Sequence, residues 1–356
     1  MRRFARDRHV FFVEEPVTHG TETRTVMRTV DENVHVVSLY VPGDTDPGVT
    51  ASEHRRCVAS VAADRKSPLL WVYSPSAFHA ARDLDPSLVV YDCVADHGAR
   101  RGAGAALRAS ELDLLARADL VFTAGLALFD AKRGSGAPTY PLPSSVDAEH
   151  FALPRARLAD DVVTIAGPSA GFLGPIDDRV DLRLVDRLAE ARPELQIFLL
   201  GGLVGVPIWD LPHRTNVHWL GAEAYPDLPR YVSAWDVAIV PFHSDAATRR
   251  TEPSGLLACI AAGKPVVTTP LDEVAPYADR GLAEIVEPER FVVGVEAALA
   301  EAADPTRSAV RRTARDGVLA RTSWDRTVSA MLRLVGEAEM AGQLAARRSA
   351  PAVCPA

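Results

Sequence analysis

The stretch that decides the fold of this chain is residues 233–271, SAWDVAIVPFHSDAATRRTEPSGLLACIAAGKPVVTTPL. It contains two apolar runs of strand length, 236–241 and 265–269, which predict buried strands. A strand, an irregular loop and a helix whose N-terminus faces a crevice commonly bind a phosphorylated ligand. A βαβ unit that serves packing alone is the alternative, and periodicity by itself favours it.

The residues between the two strands predict one short helix. Pro253 suits an early helical position, and Thr251 or Ser254 can cap the first turn. Gly255 would leave space above the helix N-terminus. Gly263 is expected to end the helix, because glycine is the usual residue just beyond a helix C-terminus.

Composition limits the class of protein. The chain has 356 residues, 47% of them hydrophobic and 24% charged, which is enough for two domains with separate cores. A formal net charge of -8 argues against a nucleic-acid partner, which would need a basic face. The four cysteines show no CxxC motif, which argues against a structural zinc site and fits a reducing compartment. No uninterrupted apolar run reaches membrane-spanning length, so no transmembrane segment is predicted.

Strand-like and helix-like segments alternate along most of the chain, as a doubly wound parallel sheet requires. In the first half, helices are predicted at 52–64 and 105–118, and strands at 9–14, 33–40, 68–73, 87–93 and 119–123. In the second half, the predicted strands other than the two above are 162–173, 195–200, 217–220 and 282–286.

Several runs together resemble the GT-B fold glycosyltransferases of the group 1, family 4-like type. These are AAGKPVVTTP at 261–270, YDC with Asp96 at 91–96, LARADLVF at 115–122, PSSVD at 143–147 and SWDR at 323–326. The resemblance implies an α/β protein with two Rossmann-like doubly wound domains that face each other across a cleft. The implied divisions are an acceptor-side domain at 1–151, a linker at 152–161, a nucleotide-sugar-binding domain with a returning C-terminal helix at 162–335, and a disordered tail at 343–356.

The N-terminal residues resemble the middle of a domain. In the relatives, a strand, a glycine-bearing loop and most of a helix precede a run similar to RFARDRHVFFVEEP at 3–16. Residues 1–7 would then be the end of that helix. We expect an in-frame upstream segment that encodes the first strand, because losing a central strand would expose a long apolar edge.

The resemblance also implies an activity. It is the transfer of a hexose from a UDP- or GDP-sugar to a carbohydrate or lipid-linked acceptor in polysaccharide biosynthesis, with no cofactor besides the donor and no metal in the site. The implied location is the cytoplasm, or the cytoplasmic face of the membrane as a peripheral protein. Without a metal, the leaving-group charge must be met by a helix dipole, backbone N–H groups and cationic side chains.

The sequence offers donor-site candidates in three places. The loop from Gly174 to Arg179 can bring backbone N–H groups and a guanidinium to a diphosphate, although a surface turn with a solvated arginine would look the same. The helix N-terminus offers amides and a hydroxyl, and Glu252 can bind a sugar hydroxyl or simply complement the helix dipole. Arg250 can replace a lysine found in relatives, or be solvated. The full predicted donor set is Gly174, Arg179, Gly201, Tyr225, Arg250, Glu252, Ser254 and Gly255.

Asp96 and His97 are the catalytic candidates on the acceptor side. Both follow a predicted strand end, where a carboxylate or an imidazole can take a proton from an acceptor hydroxyl. A structural histidine is the commoner occurrence in such a position. His79 is a rival for the same role.

Three residues depart from the family pattern near these sites. Relatives have a glutamate where Ala258 stands, often a lysine near Gly255, and an acidic residue where Ala95 stands. These departures leave open a second interpretation, a catalytically weak scaffold or partner protein that keeps the fold. A nucleotide-sugar epimerase of the same fold is a third, for which no distinguishing motif is present.

Overall fold

The computed structural model describes residues 1–99, 104–152, 166–246 and 248–349. Its strands form three sheets: two four-stranded sheets in residues 1–152, called here the first domain, and one six-stranded sheet from residue 166 onward, called the second domain. The predicted linker lies almost entirely outside the described residues. No helix in the described part of the chain is both long enough and apolar enough to cross a membrane.

The first sheet of the first domain is built around β4. Its strands are β1 (Val10–Val13), β2 (Val17–Thr18), β3 (Arg24–Asp31) and β4 (Val34–Val41). β1 and β2 pair in parallel with β4, and β3 pairs antiparallel along its opposite edge. The β3–β4 hairpin was not predicted from the sequence. The short helix before β1 is a 3₁₀ turn, Phe4–Arg6, in place of the expected end of an α-helix.

The second sheet of the first domain is entirely parallel. Its order is β5 (Leu69–Val72), β6 (Leu88–Cys93), β7 (Leu120–Thr123) and β8 (Thr139–Pro141). The helices of this domain are α1 (Pro47–Ala62), α2 (Pro75–Ala81), α3 (Ala105–Arg117), α4 (Leu126–Lys132) and α5 (Ala148–Phe151). α1 begins five residues earlier than predicted, because Asp46 caps it by accepting the N–H groups of Gly48 and Val49.

The second domain contains one parallel sheet in the order β11-β10-β9-β12-β13-β14. These strands are β9 (Ser169–Leu173), β10 (Gln196–Leu200), β11 (Val217–Gly221), β12 (Val237–Val240), β13 (Val266–Thr268) and β14 (Ala283–Ile285). The strand order reverses between β9 and β12. In open α/β sheets such a reversal leaves a crevice at the carboxyl ends of the strands, where ligands bind.

The helices of the second domain share one apolar core with its sheet. They are α6 (Leu182–Ala191), α7 (Leu228–Val232), α8 (Leu256–Ala261), α9 (Ala275–Ala278), α10 (Phe291–Ala303) and α11 (Pro305–Leu319). One continuous core lies between sheet and helices, and its largest fully buried side chains are Trp235, Phe172, Phe198 and Phe291. Gly263, just after α8, adopts the positive φ of +77° that was expected of a helix-ending glycine.

The last helix, α12 (Trp324–Ser349), returns to the first domain. Its side chains Met331, Leu334 and Val335 pack in one cluster with Val90 and Phe122 of the second sheet. The helix continues beyond residue 343, where the sequence predicts a disordered tail. Residues 350–356 lie outside the described part.

Candidate functional site

A cavity of about 390 Å³ lies in the cleft between the domains, and we call it the cleft cavity. Its walls come from the carboxyl ends of β6 and β9 and from the loop between β12 and α8. Five of the predicted site residues line it: Asp96, His97, Arg179, Glu252 and Ser254. The parallel strands place these side chains together because their carboxyl ends meet on the cleft side of each sheet.

Glu252 is the carboxyl group of the second-domain wall. One of its oxygens, Oε2, accepts a long hydrogen bond of 3.4 Å from the backbone N–H of Ser144 in the first domain. Burial raises the pKa of Glu252 to about 7, and the negative charge of Glu273 adds to this, while the contact with Ser144 opposes it. Near neutral pH this carboxyl can therefore both donate and accept a proton.

Asp96, on the opposite wall, is held as an anion. Its Oδ1 accepts from Lys132 Nζ at 2.9 Å, and its Oδ2 accepts from Arg250 Nη1 at 3.2 Å across the cleft. Burial acts to raise the pKa of Asp96, but the two cations outweigh it and the pKa is lowered. An anion stabilised in this way is a poor proton acceptor, so the predicted role of Asp96 as a base is revised to a charge partner.

A buried network stands behind Asp96. Lys132 Nζ also contacts Glu111 Oε1 at 2.9 Å, and the same carboxylate accepts a hydrogen bond of 3.0 Å from the hydroxyl of Tyr91. Lys132, Glu111 and Asp96 are all at least nine-tenths buried. The network fixes Asp96 in place from the first-domain side.

The two histidine candidates are placed differently. His97 lines the cleft cavity at the start of a 3₁₀ turn, His97–Ala99. His79 lies on α2, and its Nε2 contacts Ser110 Oγ at 2.6 Å. Since Ser110 Oγ donates to the Ala106 carbonyl, it accepts from His79 Nε2. His79 does not line the cleft cavity, so only His97 is retained as a candidate base.

The loop after β9 uses most of its backbone N–H groups internally. The N–H of Gly174 donates to Leu200 O at 3.0 Å, and that of Ile176 donates to Gly202 O at 2.9 Å. The prediction that this loop offers its amides to a diphosphate is therefore wrong at these two positions. Both are committed to tying the end of β9 to β10.

Arg179 lines the cleft cavity but is paired. Its Nε and Nη2 donate to the carboxylate of Asp177 at 2.9 and 2.6 Å. The Arg179 N–H donates to the same carboxylate at 3.0 Å. Asp177 therefore fixes the orientation of the guanidinium beside the cavity.

The helix of the organising stretch starts later than predicted. α8 begins at Leu256, and no side chain caps it. Ser254 is exposed and lines the cleft cavity without capping. A Cβ on Gly255 would overlap the carbonyl oxygen of Leu173 at the end of β9. The space expected above Gly255 is thus filled by strand backbone, and the glycine is needed for close packing.

Gly201 and Tyr225 do not line the cleft cavity, and neither do Gly174, Arg250 and Gly255, so their binding of the donor stays a prediction. A Cβ on Gly201 would overlap the Gly174 carbonyl, so this glycine also serves a close backbone approach. The ring of Tyr225 stacks on His150 at a centroid distance of 4.6 Å, and its hydroxyl donates to Asp147 at 3.0 Å. Tyr225 therefore secures the end of the first domain.

Three residues important to the cleft were missed in the sequence. Ser144 lies in the PSSVD run and could have been found there. Lys132 gave no signal, because a single lysine near a helix end is ordinary. Glu273 accepts the N–H groups of Leu126 and Ala127 at 3.2 and 2.8 Å, so a second-domain carboxylate caps the first-domain helix α4.

Among the described residues, no group of three or more His, Cys, Asp or Glu side chains is arranged to hold a metal ion.

Comparison with known proteins gives one curated relative and many structural ones. No family model matches the chain. The chain is 28% identical over 148 residues to the "Putative teichuronic acid biosynthesis glycosyltransferase TuaH" of Bacillus subtilis (strain 168). The match covers 40% of this chain and only 37% of that protein's length.

The structural relatives cover nearly the whole chain. Sucrose-phosphate synthase from Thermosynechococcus elongatus superposes with a TM-score of 0.72 at 15% identity, covering 95% of this chain and 91% of that one. Anabaena HepE in complex with UDP and glucose gives 0.66 at 15% identity, over 85% and 86%. An E. coli trehalose-6-phosphate structure bound with UDP-2-fluoro glucose gives 0.64 at 11% identity, over 92% of each chain.

At these identities the likeness is one of fold. The chain has the GT-B architecture, an α/β fold with two Rossmann-like domains, and the prediction of fold class is confirmed.

Proposed function

We propose that this protein is a glycosyltransferase that transfers a hexose from a nucleoside-diphosphate sugar to a carbohydrate or lipid-linked acceptor, without a metal ion in the site. The observation that carries the proposal is the cleft cavity, where carboxyl ends of parallel strands from both domains bring acidic, basic and hydroxyl groups together. The GT-B fold and the relatives with UDP ligands support the same class of donor.

The cationic groups for the diphosphate are Arg179 and Arg250. Each is paired with an aspartate, Asp177 and Asp96 respectively. A diphosphate would compete with these carboxylates for the guanidinium groups, since arginine binds phosphate and carboxylate with the same bidentate geometry. Arg250 is the more available of the two, because 43% of its side chain is exposed against 22% for Arg179.

Glu252 is the group that we assign to the sugar. With a pKa near 7 it exists in both protonation states at neutral pH. As the acid it donates a hydrogen bond to a sugar oxygen, and as the anion it accepts one from a sugar hydroxyl. His97 is then the candidate proton acceptor for the acceptor hydroxyl, as the imidazole that lines the same cavity.

Nucleotide binding is the first test. UDP or GDP at about 100 times its dissociation constant stabilises a protein by roughly 2.7 kcal/mol, which raises the melting temperature by several degrees. We expect this shift in buffer with EDTA. A shift that appears only with magnesium or manganese would contradict the metal-free site, and no shift with either nucleotide at millimolar concentration would contradict the donor site.

Turnover is the second test, with labelled UDP- and GDP-sugars and detection of released nucleotide. We expect Glu252→Gln to abolish release while Glu284→Gln, which alters an exposed glutamate on β14, leaves it unchanged. Binding without any release by the unaltered protein would favour the scaffold interpretation. The paired state of both arginines and the burial of Ala258, only 6% exposed where relatives have glutamate, are the observations behind that alternative.

A further inference from the structure

A second cavity, of about 970 Å³, lies in the first domain and is lined by both β1 and β5. Its polar lining groups separate by their position along these two strands. Arginines and two histidines lie toward the amino ends, whereas carboxylates and hydroxyls follow the carboxyl ends. The groups at the carboxyl end, which we call the polar pocket, are Glu14, Glu15, Tyr73 and Ser74 together with His54 of α1.

The polar pocket lies on the edge of the first domain that faces the cleft. β5 pairs in parallel with β6, so Val72 and Tyr91 are neighbours near the carboxyl ends of the two strands. The residues just after β6, including Asp96 and His97, line the cleft cavity. Ser74 follows β5 at the same edge, and adjacent strands are about 4.8 Å apart. The polar pocket is therefore one strand beyond the first-domain wall of the cleft cavity.

Glu15 is oriented by two serines and keeps one oxygen available. Its Oε1 accepts hydrogen bonds from the hydroxyls of Ser74 at 3.0 Å and Ser76 at 2.8 Å, and these two hydroxyl oxygens lie 2.6 Å apart. The Glu15 side chain is exposed, and its Oε2 accepts no hydrogen bond from any residue that the structure describes. This oxygen can therefore accept a hydrogen bond from a ligand hydroxyl without first losing a protein partner.

His54 is the second polar group that indicates a ligand. It is only 8% exposed, it lines the cavity, and its imidazole makes no hydrogen bond to another described residue. Buried polar groups are nearly always hydrogen-bonded, so this imidazole calls for a ligand or a water molecule as its partner. Burial lowers the pKa of His54, and the negative charge of Glu15 opposes this only in part. The neutral imidazole has one N–H donor and one acceptor nitrogen.

The charges around the polar pocket disfavour an anionic ligand. The two arginines that line the same cavity, Arg8 and Arg65, precede β1 and β5, and each strand has four residues, which span about 13 Å. Arg8 is paired with Glu339, and the Arg65 guanidinium lies 3.8 Å from the ring centroid of Phe11. A phosphate in the pocket would meet carboxylates without a neighbouring guanidinium, although arginine and lysine are the usual phosphate partners. Hydroxyl groups, which donate to carboxylates, fit the pocket.

We propose that the polar pocket binds a sugar unit of the acceptor through its hydroxyl groups, and that the acceptor is an uncharged carbohydrate at this position. This role rests on the proposed function, and it selects a sugar over the phosphate of a lipid carrier as the group that is recognised. Glu15 accepts a hydrogen bond from one hydroxyl through Oε2, and the His54 imidazole bonds a second hydroxyl. A phosphate at the same place would be repelled by Glu15.

Binding of simple glycosides, measured without nucleotide, is the first test. The probes are the methyl glycosides of glucose, galactose, mannose and N-acetylglucosamine, followed by saturation-transfer NMR. We expect at least one to bind, and Glu15→Ala to weaken its binding at least about tenfold through loss of a charge-assisted hydrogen bond. Glu22→Ala, which alters an exposed glutamate outside the cavity, should leave binding unchanged. Failure of all four glycosides to bind, or equal weakening in both variants, would overturn the proposal.

The anionic counterparts of these probes are the corresponding sugar 1-phosphates. They should displace the bound methyl glycoside at least about tenfold less effectively than the unlabelled glycoside does, because Glu15 repels the phosphate. More effective displacement by a sugar phosphate, increased further in Glu15→Ala, would show that the pocket recognises the phosphate of a lipid carrier. That result would contradict the proposal.

His54→Phe separates binding from folding. Phenylalanine keeps an aromatic ring without the nitrogens, and no described hydrogen bond is lost, so the melting temperature should be unchanged or higher. The affinity for the glycoside should fall at least about fivefold, because one hydrogen bond to the sugar is lost. A lower melting temperature with unchanged affinity would show that the imidazole serves the fold, against its assigned part in the pocket.

Nucleotide binding and turnover separate this inference from the proposed function. UDP or GDP should raise the melting temperature of Glu15→Ala as much as that of the unaltered protein. A protein that binds the glycoside but neither nucleotide would contradict the proposed function while supporting the pocket as a sugar site. In turnover with the glycoside as acceptor, Glu15→Ala should raise the acceptor KM at least about tenfold and leave the donor KM unchanged. A lower kcat with an unchanged acceptor KM would overturn the binding role.

Discussion

The two domains differ in how their sheets and apolar cores are built. The second domain has one unbroken six-stranded sheet, and its core is a single continuous apolar cluster. The first domain has two separate four-stranded sheets, and its apolar core is divided into smaller clusters. Next to the cleft it relies on the buried ion network of Lys132, Asp96 and Glu111.

The difference predicts which kind of substitution destabilises each domain most. A continuous apolar core distributes its stabilisation over many contacts, each of which is individually small. A buried ion network concentrates stabilisation in a few groups, because removing one charge leaves its partners uncompensated in a low dielectric. The variants below test this contrast, beginning with the largest expected effect.

Lys132→Met should destabilise the first domain by about 3–5 kcal/mol, because two buried carboxylates lose their shared cation. The matched variant in the second domain is Arg311→Met. Arg311 is also buried, but its partner Glu301 is 32% exposed and stays hydrated when the cation is removed. We expect about 1 kcal/mol there. Denaturant unfolding of both variants gives the comparison.

The pH dependence identifies the cause of the Lys132→Met loss. Lys132 helps to lower the pKa of Asp96, so without the ammonium group Asp96 takes up a proton more easily, and protonation removes its charge. The loss relative to the unaltered protein should therefore shrink as the pH falls toward 4. A loss that is the same at pH 4 and pH 7 would show that packing, and not charge, is responsible.

Glu252→Gln should stabilise the protein without ligand at high pH. The folded-state pKa of about 7 lies above the ordinary 4.5, so the unfolded chain holds fewer protons between these values. Stability contributed by the protonated form is then lost as the pH rises through this window. The loss in unfolding free energy is about 3 kcal/mol, because each unit of pKa difference corresponds to about 1.36 kcal/mol. We expect the variant and the unaltered protein to match at pH 4 and to differ by this amount at pH 8.

Denaturant unfolding across that pH range is the measurement, with Glu284→Gln as the control. Substitution of this exposed glutamate should leave the pH dependence of the unfolding free energy unchanged. If Glu252→Gln has the same pH dependence as the unaltered protein, Glu252 is better solvated than its burial indicates. The cleft acid would then lack the neutral form assigned to it.

Gly255→Ala should destabilise the second domain by about 2 kcal/mol, because the added methyl overlaps the Leu173 carbonyl. Aspartate at this position would meet the same overlap. Gly317→Ala is the control, since nothing lies within 4 Å of its Cβ position in α11. This control substitution should raise the free energy of unfolding by roughly 0.5–1 kcal/mol. Equal effects would show that α8 can move away from β9.

The sequence predicted the elements whose signal is local. The buried parallel strands β6, β12 and β13 were predicted because each is a continuous apolar run of strand length. The β3–β4 hairpin was missed, although Thr25, Met27 and Thr29 recur at a period of two ahead of a turn at Glu32 and Asn33. Its strand β3 is mostly exposed, so it lacks the apolar face that marks a core strand.

The site was less predictable because its contacts are distant in sequence. Asp96 and Lys132 are 36 residues apart, and Asp96 and Arg250 are 154 apart. No spacing rule connects such pairs, so the sequence could nominate Asp96 but not its ionised state. The role of Gly255 was also hidden, because the backbone that approaches it is the end of β9, which is distant in sequence.

The smallest expected effect compares one valine in each domain. Val37 of β4 and Val237 of β12 are both fully buried. The cost of truncation to alanine depends on how well the surroundings collapse into the space left behind. Val37 belongs to the small cluster beside β1, which among the described strands pairs only with β4, whereas Val237 lies inside the continuous core. We expect Val37→Ala to cost about 1 kcal/mol less than Val237→Ala, measured by local hydrogen exchange. Equal costs would show that the open edge does not loosen the first sheet.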